Sequence, residues 1–205
     1  MAEGMSAVDA PRSRSPWADP SESAERGFRA ATSSSRAQAL AESHLDFVWR
    51  LLRRLGLNAT DADDGAQDVF VALARRMDDI AVGKERSFLI GTALNVAATH
   101  HRSRARRRES PETAVEQLVH PGLDPEQAAL ERRRVELLDQ ALAELDWELR
   151  VPFVLFELEE LTASEIAGLM GIPAGTVASR LRRARELFRS TARRLRAQSE
   201  SGGAP

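Results

Sequence analysis

The sequence predicts an all-α protein of two small helical domains joined by a flexible linker and preceded by a disordered tail. Three observations carry this. From Glu42 onward apolar residues recur at i, i+3, i+4 and i+7, the spacing of one buried helical face, and no stretch alternates with period two. Pro111, Pro121, Gly122 and Pro125 break that periodicity within residues 109–126. Finally, a capped helix, a glycine turn and a second helix studded with arginines follow one another between Thr162 and Arg183, which is the layout of a helix-turn-helix.

Each element follows in chain order. Residues 1–40 are rich in Ser, Ala, Arg and Pro with scattered apolar side chains. Such a stretch buries too little apolar surface to offset the cost of ordering, so it reads as a disordered tail. The first domain is expected over residues 41–108. Its first helix places Leu45, Val48, Trp49, Leu52 and Leu55 on one face, with Gly56 set to end it. A second helix repeats the spacing with Ala66, Val69, Phe70, Leu73, Ala74 and Met77. A third, with Ser87 as its N-cap, puts Ile90, Leu94, Ala97, Ala98 and His101 on one side before it runs into an arginine block. Residues 109–126 form the linker. The second domain is expected over residues 127–197, beginning with an amphipathic helix that carries Val135, Leu138, Ala141, Leu142 and Leu145. The dense apolar run from Val151 to Leu161 is compatible with a strand, but Pro152 and the helical neighbours favour a short buried helix. Residues 198–205 make a polar tail.

Composition narrows the function. The 205 residues carry a net charge of only −2, which excludes a uniformly basic nucleic-acid coat. The charge is nevertheless segregated. Five arginines and no acid lie between Arg102 and Arg108, and eight arginines face the single Glu186 between Ala174 and Arg196. Acids gather at Asp61–Asp68 and Glu157–Glu165. Opposite blocks of this kind predict several distinct interaction surfaces, some of them suited to phosphates. There is no cysteine, so disulfides, thiolate metal sites and cysteine nucleophiles are excluded. The four histidines lack the spacing of a helical metal pair, and no metal site is expected. No apolar run reaches the roughly 18 residues that a membrane span needs, and the N-terminus has no secretory apolar stretch. The expectation is a soluble, cytoplasmic protein without membrane insertion.

The helix-turn-helix can be read residue by residue. Thr162 and Glu165 have the spacing of a capping box. The helix they open is expected to bury Ile166, Ala167, Leu169 and Met170, Gly171 makes the turn, and Pro173 sits at the start of the next helix. There Val177, Leu181, Ala184 and Phe188 form an inward stripe. Thr176, Ser179, Arg180 and Arg183 form the opposite face, with Arg182 beside them. Hydroxyls and arginines on one outward face suit base edges in the major groove and the flanking phosphates. An amphipathic hairpin with an ordinary basic surface is the simpler alternative. In the first domain, the helix that buries Val69, Phe70 and Leu73 turns Asp64, Gln67, Asp68, Val71 and Arg75 outward. That acidic, partly apolar face suits docking to a basic helical surface, although acids in a first turn also stabilise a helix by themselves.

Two segments carry a resemblance to a known family. Glu159-Glu160-Leu161-Thr162 through Arg185, with Gly171–Arg185 reading GIPAGTVASRLRRAR, is similar to the C-terminal promoter-binding region of bacterial sigma factors of the extracytoplasmic-function (ECF) type, within the sigma-70 family. Asp61-Ala62-Asp63-Asp64-Gly65-Ala66-Gln67-Asp68-Val69-Phe70 resembles the DAEDxxQEVF motif of the family's N-terminal domain, and Ser87–Ala97 resembles its WLxxIAxNxA segment. The sequence departs from the pattern at Ser87-Phe88 where a Trp is usual, at Thr99 in place of an Asp, and at His101 in place of an aliphatic residue.

The resemblance implies that Asp61, Asp64, Gln67, Asp68 and Phe70 bind core RNA polymerase. It implies that Asn95, Thr99, Arg102, Arg104 and Arg106 contact the −10 element and that a loop pocket captures the unstacked base; capture by aromatic stacking would instead rest mainly on Phe88. Thr176, Ser179, Arg180, Arg182 and Arg183 would contact the −35 element. The implied partners are core RNA polymerase, promoter DNA and an anti-sigma factor. No cofactor, metal or small-molecule substrate is implied, and no catalytic residue, because polymerase performs the chemistry. The competing reading is a stand-alone helix-turn-helix transcriptional regulator, which has no need of the acidic Asp61–Phe70 motif.

Overall fold

The computed structural model describes residues 20–107 and 124–201, which form seven α-helices and one short 3-10 turn, with no strand among the described residues. The helices are α1 (Pro20–Arg54), α2 (Ala59–Arg75), α3 (Glu85–Arg107), α4 (Pro125–Ala143), α5 (Trp147–Glu157), α6 (Ala163–Met170) and α7 (Ala174–Ser201). The 3-10 turn, Met77–Asp79, links α2 to α3. Helix α1 packs on α2 and α3, and α7 packs on α4, α5 and α6. No described helix is long and apolar enough to cross a membrane.

The first bundle closes around Val48, Leu51, Leu52 and Leu55 of α1, Ala66, Val69 and Leu73 of α2, and Leu89, Ile90, Ala93 and Ala97 of α3. Gly56 ends α1 with φ +108°, a conformation that glycine adopts without steric penalty. Asn58 then caps α2, its side-chain oxygen accepting from the Asp61 N–H at 2.7 Å. The buried stripe of α1 is rotated from the expected one. Leu51 is in the core, while Leu45 is half exposed. Positions 48, 51, 52 and 55 form an equally regular stripe, and only packing against α2 decides between the two. Ala74 of α2 is likewise exposed. Helix α3 starts at Glu85, so Ser87 lies inside its first turn and is not the N-cap.

The expected tail is shorter at the structured end. Residues 1–19 lie outside the described residues, but the backbone is helical from Pro20. Ala37 is buried, and Arg36 donates to Glu85 at 2.5 Å and to the Ile80 carbonyl at 3.4 Å. These long-range contacts order a stretch that has no periodicity of its own. Of the expected linker, residues 109–123 lie outside the described residues, while Pro125 and Glu126 already belong to α4, with Asp124 at its N-cap position. At the other end α7 continues through residue 201.

In the second bundle, α5 buries Leu149, Val151, Phe153, Val154 and Leu155, which is why its sequence reads as an apolar run and not as a stripe. The helix begins at Trp147, with Pro152 inside it, buried. Val135 of α4 and Leu169 of α6, both expected in the core, are exposed.

Helix α5 also joins the two bundles. Arg150 donates to the Arg54 carbonyl at 2.6 Å and to the Arg53 carbonyl at 3.3 Å, at the C-terminal end of α1. Burial pushes the Arg150 pKa down to about 10, with Asp139 opposing the shift and Arg53 adding to it. Beyond α5, Glu159 is only 3% exposed and accepts from Arg86 at 2.8 Å and Arg54 at 3.4 Å. Burial raises the Glu159 pKa, and the two arginines pull it back. The His101 ring stacks on Trp147 with centroids 4.6 Å apart.

Candidate nucleic-acid interface

The helix-turn-helix forms as its spacing predicts. The Thr162 N–H donates to the Glu165 carboxylate at 2.8 Å, and the Glu165 N–H donates to the Thr162 hydroxyl at 3.3 Å. The hydrogen bonds from Thr162 hold the Glu165 carboxyl below its ordinary pKa. Gly171 turns the chain in the left-handed region, φ +64°. Helix α7 then buries Val177, Leu181 and Ala184, and Phe188 packs on Phe153 with ring centroids 4.8 Å apart.

The opposite side of α7 exposes Ser179, Arg182 and Arg183 to solvent, with Thr176 and Arg180 half-buried beside them. The arginines of this helix divide into two kinds. Arg180 pairs with Glu148 at the start of α5, Arg185 with Glu157 at 2.6 Å, and Arg194 with Glu144. Arg185 also lies over the Phe156 ring at 5.0 Å. Arg182 and Arg183 have no acidic partner among the described residues. Glu144 and Glu148 were not singled out from the sequence, and Glu157 was read only as part of an acidic cluster, because their partners lie 28 to 50 residues away and leave no local spacing signal.

On α3, Asn95, Thr99, Arg102 and Arg106 are exposed. The Thr99 hydroxyl donates to the Asn95 carbonyl at 2.9 Å and accepts from Arg102 at 3.1 Å, so these three residues form one chain along the helix surface. Arg104 is different. It is half-buried and donates to the Gly56 carbonyl at 3.3 Å, which ties it to the turn between α1 and α2. Phe88 is half-buried and packed against the core, which leaves less of its ring for a base. Arg108 lies outside the described residues. Burial, followed by the charges of Arg102 and Arg104, lowers the His101 pKa.

On α2, Asp64, Gln67, Asp68, Val71 and Arg75 line one exposed side, and neither Asp64 nor Asp68 has a cationic partner among the described residues. Phe70 is half-buried against the core. Asp61 is half-buried, with its carboxylate 3.8 Å from His100 Nδ1. Asp63 accepts from the Trp49 indole at 2.8 Å. The acidic motif thus splits into residues that build the bundle and residues that face out. No group of side chains with metal-ligand character occurs among the described residues.

An all-helical chain with an acidic face on one bundle and an arginine face on a helix-turn-helix in the other defines a class of DNA-binding transcription protein. Comparison with known proteins makes the class specific. The family model for sigma-70 region 2 matches residues 40–107, and that for sigma-70 region 4 matches residues 135–188. The ECF RNA polymerase sigma factor SigE of Mycolicibacterium smegmatis is 33% identical over 152 residues, 73% of this chain and 59% of that protein. The RNA polymerase sigma-H factor of Pseudomonas aeruginosa is 31% identical across 66% of this chain and 75% of its own length. The ferric citrate uptake sigma factor FecI of Escherichia coli is 30% identical across 71% and 84%. Among solved structures, the sigma factor RpoE of Bartonella quintana, in complex with the anti-sigma factor NepR, has the same fold, with a TM-score of 0.61 at 18% identity over 76% of this chain and 96% of that one. The chain belongs to the sigma-70 family of RNA polymerase sigma factors, in its ECF branch.

Proposed function

We propose that this ECF sigma factor binds core RNA polymerase through α2, reads the −10 element with α3 and the −35 element with α7, and so starts transcription in the cytoplasm. Asp64, Gln67 and Asp68 form the centre of the polymerase-docking face, with Asp61 and Phe70 shaping it from within. Asn95, Thr99, Arg102 and Arg106 form the −10 face. Thr176, Ser179, Arg180, Arg182 and Arg183 form the −35 face. The chain contributes binding and DNA opening, and the catalytic groups are those of polymerase. An anti-sigma factor is the expected regulatory partner.

The observation that carries this reading is the coexistence of two uncompensated surfaces of opposite charge on separate bundles. Among the described residues Asp64 and Asp68 stand without cations on α2, and Arg182 and Arg183 stand without acids on α7. A regulator that acts alone has a use for the second surface and none for the first.

The test is reconstitution of the full chain with core polymerase. Asp64→Arg together with Asp68→Arg should abolish co-purification with core and promoter-dependent run-off, while the helical circular dichroism stays unchanged. Normal initiation by this double variant would sink the docking assignment, and failure of the native chain to bind core would sink the whole reading.

A further inference from the structure

The turn that leads into α3 is held from outside itself. Ala81, Val82, Gly83 and Lys84 are all exposed, Val82 at 86%, and a Cβ on Gly83 would meet nothing within 4 Å. Gly83 reverses the chain at φ +86°, and the Lys84 N–H closes the turn on the Ala81 carbonyl at 3.0 Å. Four residues that bury nothing gain little from the core to offset the cost of ordering them.

Arg36 of α1 supplies the restraint. Its guanidinium spans the turn, donating to the Ile80 carbonyl at 3.4 Å on one side and to the Glu85 carboxylate at 2.5 Å on the other. Glu85 passes the restraint on. Its carboxyl is held below the ordinary range by Arg36 first, and then by backbone hydrogen bonds from Glu85 itself and from Gly83. The Arg36 and Glu85 side chains are only 33% and 14% exposed, and the neighbouring Ala37 is buried, so α1 carries the guanidinium at a fixed height. A forked, charge-assisted contact of this kind holds geometry better than an exposed ion pair does. Arg36 also lies ahead of residues 40–107, which match the region 2 model. The brace comes from the part of α1 that precedes the matched domain.

What the turn presents is set by the helix it opens. The Lys84 carbonyl accepts from the Phe88 N–H at 3.0 Å, so the helical register starts at Lys84. Asn95 follows Lys84 by eleven residues, close to three full turns, so the two share one side of α3 about 16 Å apart. The turn thus extends the line of Asn95, Thr99 and Arg102 toward the start of the helix. It adds an ammonium suited to a phosphate and, in Val82, an apolar side chain suited to a base face.

We infer that Arg36 is a positioning residue for −10 recognition: by clamping Ile80 to Glu85 it holds the turn in the shape in which Val82 and Lys84 meet the same DNA as Asn95. The inference rests on the promoter reading above. A turn ordered in advance spares the complex the entropy of ordering it, so losing the brace costs −10 affinity although Arg36 itself touches no DNA.

The test reads the brace and its consequence separately. In the full chain, Arg36→Met should speed amide exchange at Gly83 and Lys84 at least about tenfold, with the Val69 and Leu73 amides in the middle of α2 unchanged. In complex with core polymerase, the same variant should bind a single-stranded −10 oligonucleotide at least about fivefold more weakly, with core affinity and binding to a −35 duplex as in the native chain. Glu85→Gln leaves the Ile80 contact in place and should show a smaller change in both readouts. Added to Arg36→Met it should cost little more, because the two residues act as one unit. Unchanged exchange in Arg36→Met overturns the inference, and so does faster exchange with native −10 binding. A loss shared equally by core, −10 and −35 binding overturns it too, since that marks a residue that only stabilises the fold. A native complex that binds −10 and scrambled strands alike overturns the promoter reading instead, whatever the exchange shows.

Discussion

Helices α3 and α7 both carry arginine runs that look interchangeable in the sequence, yet the fold uses them in opposite ways. On α7, Arg180, Arg185 and Arg194 are claimed by acids at the end of α4 and on α5, whereas Arg182 and Arg183 lean away and have no acidic partner among the described residues. On α3 the assignment is made by distance along the helix. Arg102 is held by Thr99 at the surface, whereas Arg104 reaches back to the Gly56 carbonyl and serves the bundle. The difference shows that an arginine run is a mixture of anchors and readers, sorted by what the neighbouring helix offers.

The largest effect should come from the readers on α7. A bidentate arginine–guanine pair is worth about 1–3 kcal/mol of discrimination. Arg182→Ala with Arg183→Ala should therefore lower use of the −35 element by about a hundredfold, with core binding unchanged. Competitive run-off on promoters with intact and scrambled −35 elements reads this directly, and an equal loss on both templates refutes the base-reading role. Arg180→Ala alone should cost less, because Arg180 must first give up Glu148. Conversely, Glu148→Gln should tighten −35 binding by no more than about fivefold, since an exposed pair contributes about 0–1 kcal/mol.

On α3 the comparison predicts a split. Arg102→Ala should weaken −10 binding and leave the melting curve in place. Arg104→Ala should do the reverse, losing about 1.5–3 kcal/mol of stability through the missing charged hydrogen bond to Gly56. Urea unfolding and −10 binding, measured on both variants, separate the two. If Arg104→Ala unfolds like the native chain and loses −10 affinity, Arg104 is a reader after all and the sorting rule fails on this helix.

Much of this was legible in the sequence for a physical reason: helix periodicity, capping and turn chemistry are local. The Thr162–Glu165 box, the Gly171 turn and the inward stripe of α7 formed as their spacing required. The outward set on α2 is equally local, since Asp64, Gln67, Asp68, Val71 and Arg75 follow from the burial of Val69 and Leu73. What escaped depends on partners far along the chain. Leu51 displaced Leu45 because α2 chose between two stripes of equal quality. Arg36 and Ala37 joined the fold through Ile80 and Glu85, which no composition rule connects to them. Glu159 is the clearest case. It was quoted only as part of a family motif, and its burial between Arg54 and Arg86 is set by the meeting of two bundles.

The smallest prediction concerns the two residues that bracket α6. Both take a left-handed backbone, Gly171 at φ +64° and Glu160 at φ +59°. At Gly171 this is free of steric penalty, but at Glu160 the Cβ crowds the following carbonyl, at a cost of about 1–2 kcal/mol. The chain accepts it because the turn sends the Leu161 N–H back to the Leu155 carbonyl at 2.9 Å and keeps Glu159 aimed at the first bundle. Glu160 itself is exposed and no ion pair holds its side chain among the described residues. Glu160→Gly should thus relieve the crowding, partly offset by the greater freedom of glycine in the unfolded chain, for a net gain of about 1 kcal/mol or less. In a chain of this size that is a rise of about 2–4 °C in Tm. Gly171→Ala should move Tm the other way by a similar amount. If Glu160→Gly lowers Tm instead, the glutamate side chain stabilises the turn more than its backbone costs, and the two ends of α6 are held by different means.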